Sequence, residues 1–225
     1  MRYVRFMEHE TLAKVGTFLR LDRFKISFPK FAGSAMSEPQ DVVNVFRGDS
    51  VAGLLHIQRS GRHGILLVEQ FRMPTLIDPD TGLPDLDKTD RDETAGRFVE
   101  LMAGTRRPGE PWMEAFRREC EEETGFNPDY VEFINSFYPS PGACSEMIHL
   151  YYGRIDWPEG EAWPETDKDE DANFGDDSED IRRMFVLPAQ FLAMIERGEI
   201  YDGKCLAAAE WMRRPENGKK IGLVA

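Results

Sequence analysis

No stretch of this sequence approaches the roughly 20 consecutive apolar residues a helix needs to cross a bilayer. Its first ten residues, MRYVRFMEHE, hold no apolar run of the kind a secretory leader carries. The expectation is a cytoplasmic protein with no membrane partner. Cysteine is scarce: Cys120, Cys144 and Cys205 are odd in number, widely spaced and form no CxxC pair, which argues against a disulfide framework and against a zinc site. All three read as packing residues. A basic excess is missing too. With 28 Lys+Arg against 41 Asp+Glu the formal net charge is -13, which argues against broad nucleic-acid binding, because a basic face is needed to release counterions. The same charge repels a phosphate-bearing substrate unless divalent cations come between them.

What the chain does have is enough for one substantial core: 225 residues, 41% of them hydrophobic and 31% charged. β-like alternation runs through Phe18, Leu19, Leu21, Phe24, Ile26 and Phe28, with a Pro/Gly/Ser break at 29–39. Further strands are expected at 42–46, 51–57, 64–71, 98–104, 130–137, 147–155 and 184–188, and helices at 188–197 and 203–214, the last stopped by Pro215. Two acidic stretches without apolar periodicity, 78–97 and 159–180, read as exposed loops. Mixed strands with few helices predict an α+β protein or an α/β/α sandwich.

One helix carries the chemistry. Pro111 suits the first helical position and Gly125 the left-handed residue past the end, which brackets a helix at about 111–124. At about 100° per residue, Glu119, Glu122 and Glu123 share one face while Glu121 points away. Arg117 and Arg118 can offset Glu121 and Glu122 at i,i+4, which leaves Glu119 and Glu123 without a local partner. A solvated charged face is the plain alternative. Yet Trp112, Ala115, Phe116 and Cys120 form the apolar stripe, and Glu119 and Glu123 lie in line with Trp112 rather than opposite it. Carboxylates at the rim of a buried face point to a hard divalent cation such as Mg²⁺.

Residues 104–126, GTRRPGEPWMEAFRRECEEETGF, agree with the pattern G-x5-E-x7-R-E-U-x-E-E-x-G-U, U being apolar, at Gly104, Glu110, Arg118, Glu119, Cys120, Glu122, Glu123, Gly125 and Phe126. This is the Nudix box, and the chain is identified as a member of that family by resemblance. FRMP after VEQ (68–74), VELMAG leading into the box, YPSPGACSE (138–146), SEDIR (178–182) and IERGEI…CLAAAEWM resemble the ADP-ribose pyrophosphatases, and Pro141 lies 16 residues after Gly125, a spacing that marks that subfamily.

The resemblance implies a Nudix α/β/α sandwich at 41–225, preceded by a small N-terminal β subdomain at 1–40, and a homodimer formed through the N-terminal strands. It implies Mg²⁺-dependent hydrolysis of ADP-ribose to AMP and ribose 5-phosphate, with two or three ions and Mn²⁺ as a substitute. The metal ligands it implies are the carbonyl of Ala103 and the carboxylates of Glu119, Glu123 and Glu179, with Glu122 supporting or also ligating. Arg118 would orient the glutamates. Asp177 takes the general-base position, where a glutamate is usual, with Glu179 and Asp176 as the neighbours that could serve instead. Arg72 would contact the diphosphate or base, Thr105, Ser140, Pro141 and Glu146 would line the substrate site, and Thr17 and Phe18 would reach the nucleoside from a partner subunit. His149 receives no role. Two other readings stay open: hydrolysis of another nucleotide sugar such as GDP-mannose or UDP-glucose, and a non-catalytic ADP-ribose-binding sensor.

Overall fold

A computed structural model describes residues 3–16, 19–33, 35–85, 87, 94–164 and 180–223. The chain divides into two compact units, Met1–Ser50 with Ser136–Ile148, and Val51–Asn135 with His149–Ala225.

The first unit is built on an antiparallel three-stranded sheet in the order β1 (Arg5–Val15), β2 (Leu19–Ser27), β3 (Gln40–Phe46). The N-terminal unit thus runs past residue 40, because the strand at 40–46 pairs with β2 and the backbone of Val45 bonds to that of Ala143 and Ser145. At the break after β2, the Ser27 hydroxyl donates to the Ser37 carbonyl and the Ser37 hydroxyl accepts from the Phe28 amide. Asp22 is buried on β2; burial works to raise its carboxyl, but Arg20, His9 and Thr11 hold it down at about 2.

The second unit carries a seven-stranded sheet with a main path β10-β5-β4-β9-β8. Its strands are β4 (Ser50–Arg59), β5 (Arg62–Phe71), β6 (Arg97–Glu100), β7 (Met102–Thr105), β8 (Tyr130–Phe137), β9 (Ile148–Asp156) and β10 (Ile181–Val186). β4 and β5 are joined by Ser60 and Gly61, both at positive φ, the two-residue turn whose twist suits a hairpin. The segment expected as one strand at 98–104 is two, parted at the buried Leu101. Residues 62–66 of β5 pair with β4 and residues 68–71 with β6, on the edge that β10 leaves open, while β7 pairs with β4. The chain must break to serve two neighbours in turn.

Helices cover both faces of this sheet. α1 (Trp112–Thr124) sets Ala115, Phe116 and Cys120 against Val51, Leu55, Ile57, Leu66 and Val68. Neighbouring strand residues face opposite ways, so His56 and Tyr152 lie on the other side, where Tyr152 stacks on Trp211 of α3 (Gly203–Met212). Burial on both faces explains why β4 is buried without interruption from Ser50 to Ile57 rather than alternating. α2 (Pro188–Glu196) precedes α3, and α4 (Pro215–Lys220) follows it. Pro215 therefore opens a helix rather than merely ending one, since its missing N–H costs nothing at a helix's first position. Among the described residues no helix is long and apolar enough to cross a membrane. Cys120 and Cys205 are buried, their thiols pushed up by burial, and all three cysteines are free, in keeping with packing.

On the α3 face, His56 Nδ1 lies 2.8 Å from the Tyr152 hydroxyl and its Nε2 2.9 Å from His63 Nδ1. Burial, with His63 adding to it, pushes His56 down to about 3, and burial also lowers His63. A histidine whose folded value lies below its unfolded value leaves stability intact above about 6.5, and that stability is lost as pH falls towards 3, at about 1.4 kcal/mol per unit. Denaturant melts at pH 7 and pH 5 are expected to show this loss in the parent and a flatter dependence in His56→Gln. Equal slopes in both proteins would rule the histidine out as the source.

Candidate active site

α1 begins after Pro111, which stands just before the first helical residue rather than at it, its carbonyl accepting from the amides of Glu114 and Ala115. It ends at Gly125, whose φ of 72° is the left-handed conformation that terminates helices, and whose amide donates to Glu121 O at 2.9 Å. These limits fix which residues face the β6–β7 segment.

Arg118 is the hub. Its Nε donates to Glu110 Oε1 at 2.9 Å and Nη2 to Glu110 Oε2 at 3.0 Å, a bidentate pair. Nη1 reaches Glu119 Oε1 at 2.7 Å and Glu122 Oε2 at 2.8 Å, and Nη2 also reaches the Thr105 carbonyl at 3.1 Å. Arg118 holds the Glu110 carboxyl down at about 2, helped by the Arg107 amide, and the surrounding carboxylates raise Arg118 itself. The i,i+4 pair with Glu122 is as expected, but the lack of a local partner for Glu119 is corrected: Arg118 holds it from the adjacent position. The pair of Arg117 with Glu121 is replaced, because Arg117 Nη1 instead donates to Asn127 Oδ1 and, at 2.7 Å, to Pro128 O beyond the helix end.

Glu119 and Glu123 are 8% and 4% exposed, unusual for carboxylates. Glu123 Oε2 accepts from the Ala103 amide at 3.1 Å. Glu119 lies so close to Gly104 that a Cβ there would stand 2.0 and 2.2 Å from its two oxygens. Glycine at 104 is thus a steric condition for the carboxylate's place. The result is two buried carboxylates against the backbone of 103–104, Glu119 braced by the Arg118 guanidinium and Glu123 by the Ala103 amide. The two carboxylates are hard oxygen donors of the kind that suits a divalent cation such as Mg²⁺. Among the described residues no group of three or more His, Cys, Asp or Glu side chains forms a metal cluster; Glu179 and Asp177 lie outside them, as do Thr17 and Phe18.

A profile of the NUDIX domain matches residues 47–209. The chain belongs to the NUDIX domain family. A GDP-mannose pyrophosphatase of Yersinia enterocolitica is 28% identical to this Nudix protein over 202 residues, covering 90% of this chain and 91% of its own. A methanol dehydrogenase activator of Bacillus methanolicus is 30% identical over 152 residues, 68% of this chain and 66% of the other. Among solved structures, an ADP compounds hydrolase superimposes with a TM-score of 0.60 at 14% identity over 96% of this chain and 97% of that one, a likeness of fold. The α+β Nudix fold is therefore the architecture of this protein.

The remaining expected residues fall into two groups. In the first unit, Glu146 is buried and accepts from the Ser50 hydroxyl at 2.6 Å, with Arg47 at 3.6 Å, while the Ser140 carbonyl accepts from the amides of Ala143 and Cys144 in the turn that holds Pro141. In the second unit, Arg72 Nε donates to Glu100 Oε1 at 2.6 Å and Lys204 Nζ to Glu100 Oε2 at 2.7 Å, and Lys204 also reaches Asp202 Oδ1 at 2.9 Å. Reading the sequence missed Glu100, Asp202 and Lys204. Two signals were present: a lone carboxylate in the apolar run FVELM, and an Asp just before a helix, where its side chain caps the Cys205 amide. His149, given no role, stacks on Trp112 at 3.7 Å between ring centroids, and Arg106 covers Trp112 at 4.2 Å.

Proposed function

We propose that this Nudix hydrolase cleaves the pyrophosphate bond of a nucleoside diphosphate sugar, releasing a nucleoside monophosphate and a sugar phosphate. The observation that carries this reading is the pair of buried carboxylates, Glu119 and Glu123, set against the 103–104 backbone, Glu119 held by Arg118 and Glu123 by the Ala103 amide. Glu119, Glu123 and the Ala103 carbonyl would hold Mg²⁺, or Mn²⁺ in its place, with Glu179 completing a set for two or three ions. Ions held there would offset the charge of a diphosphate and acidify water.

The chain's own residues prepare that chemistry. Arg118 fixes the rotamers of Glu119 and Glu122 through Nη1, and its Glu110 contacts hold the guanidinium itself in place. Glu122, partly exposed, supports the set. Arg72 offers a guanidinium suited to phosphate oxygens. A carboxylate of the 176–179 segment, Asp177 first and Glu179 or Asp176 otherwise, takes the proton of the attacking water. Thr105, Ser140, Pro141 and Glu146 belong to the substrate surface on the family pattern.

The motifs of the chain favour ADP-ribose, giving AMP and ribose 5-phosphate. The name of the Yersinia relative, matched over nine tenths of both chains, favours GDP-mannose. A homodimer through the N-terminal strands fits this reading: β1 has all eleven residues exposed, Phe6, Met7, Leu12 and Val15 among them, and Thr17 and Phe18 would then reach the nucleoside of the partner. We place the enzyme in the cytoplasm. A panel of ADP-ribose, GDP-mannose, UDP-glucose, NADH and diadenosine polyphosphates with Mg²⁺, products separated by chromatography, is expected to show turnover of ADP-ribose or GDP-mannose above the rest. Preference for a dinucleoside polyphosphate would overturn the nucleotide-sugar reading.

A further inference from the structure

Arg72 directly follows β5 and Glu100 ends β6, the strand paired with it, and Lys204 comes from the first turn of α3, 104 residues further along the chain than Glu100. Glu100 is 2% exposed, and a buried carboxylate of this kind is costly unless both oxygens are matched. Arg72 takes one oxygen and Lys204 the other. Lys204 is in turn fixed by Asp202, which also caps α3, so the ammonium has two anionic partners and is only 12% exposed. Burial works to discharge Lys204, and Glu100 and Asp202 overcome it, so the group stays a cation.

The contact with Arg72 runs through Nε, the inner nitrogen. That choice fixes the plane of the guanidinium while its two terminal nitrogens, which no other described residue engages, remain on a side chain 40% exposed. Those terminal nitrogens form the edge that can grip two oxygens of one phosphate. Glu100 can hold the plane only while its own carboxylate is kept from turning. Lys204 is the group that keeps it.

We propose that Lys204 is a positioning residue for substrate binding: through Glu100 it sets the guanidinium of Arg72 towards the substrate's diphosphate. The proposal rests on the diphosphate reading of the site, and it ties helix α3 to that site by a chain of three charged contacts. Lysine is fitted to the post because its ammonium meets Glu100 and Asp202 at once, and arginine keeps the charge.

The test uses the full-length protein and four variants: Lys204→Met, Lys204→Arg, Arg72→Met and the pair Lys204→Met/Arg72→Met. Two quantities are read, kcat and KM on the best substrate of the panel, and the calorimetric Kd for inorganic pyrophosphate in Mg²⁺ buffer. Lys204→Met is expected to raise KM and the pyrophosphate Kd about tenfold, the scale of one charge-assisted contact, with kcat within about threefold. Lys204→Arg is expected to recover most of the loss, and Lys204→Met to add nothing once Arg72 is Met. Should Lys204→Met not fold, Lys204→Met/Glu100→Gln removes both charges, leaves Asp202 with its Cys205 amide contact and carries the same expectation. A folded Lys204→Met with unchanged KM and pyrophosphate affinity, or an effect that persists in the Arg72→Met background, would overturn the proposal. If the parent hydrolyses no member of the panel, the functional reading fails, and pyrophosphate affinity alone decides the part played by Lys204.

Discussion

Glu123→Gln, assayed at saturating Mg²⁺, is expected to lose about a thousandfold or more in kcat while keeping its melting midpoint and circular dichroism. The substitution swaps one carboxylate oxygen for an amide nitrogen at nearly constant volume. Its carbonyl can still accept from the Ala103 amide, the contact that Glu123 makes at 3.1 Å, so the local fold has little to lose. What disappears is a negative oxygen in a site 4% exposed, where charge is poorly screened. Metal assistance supplies several kcal/mol of transition-state stabilisation, and each 1.36 kcal/mol is about a factor of ten in rate. Turnover within tenfold of the parent would remove Glu123 from the metal-binding set. A large fall in melting midpoint would instead make it a structural carboxylate.

Gly104→Ala is expected to lower kcat by about a hundredfold through a purely steric route. The added methyl would stand about 1.9 Å from the Glu119 carboxyl carbon and 2.0 and 2.2 Å from its oxygens, well inside any real contact. Gly104 is not among the positive-φ glycines, so alanine brings no backbone strain and the side chain of Glu119 must yield. Moving that carboxylate also breaks its 2.7 Å contact with Arg118, which loosens the brace on Glu122. Thermal melts are expected to change little, because the displaced group can turn towards solvent. Normal turnover in Gly104→Ala would show that the position of Glu119 beside the 103–104 backbone is not needed for the reaction.

The helix that bears these residues was legible because its signals are local. Pro111 and Gly125 mark its ends, and a rotation of 100° per residue gathers Glu119, Glu122 and Glu123 on one face. The bracing by Arg118 was legible in outline, but the share taken by Glu119 was not, since that contact depends on how the guanidinium folds back over its own neighbour rather than on helical spacing. The cluster of Arg72, Glu100, Asp202 and Lys204 was hidden for another reason. Its members meet only when α3 and the β5–β6 pair are both in place, and no periodicity links residues a hundred positions apart. β1 left no pattern to find, because none of its eleven residues is buried and nothing demands alternation. The division at Leu101 follows from which strands β6 and β7 adjoin, a fact of sheet order that the run FVELMAG cannot carry alone. Asp177, Glu179, Thr17 and Phe18 fall outside the described residues, and their roles stand on the family pattern.

β4 lies between β5 and β9, and every residue from Ser50 to Ile57 is buried. The order in which the protein comes apart follows from that placement. β1 can open for the cost of its backbone hydrogen bonds and of the His9 and Thr11 contacts to Asp22, whereas β4 is released only when both covered faces of its sheet are lost together. Fraying therefore starts at a strand that holds none of the metal-binding carboxylates: heat or a protease would erode the N-terminal hairpin, and any dimer built on it, before the central sheet fails.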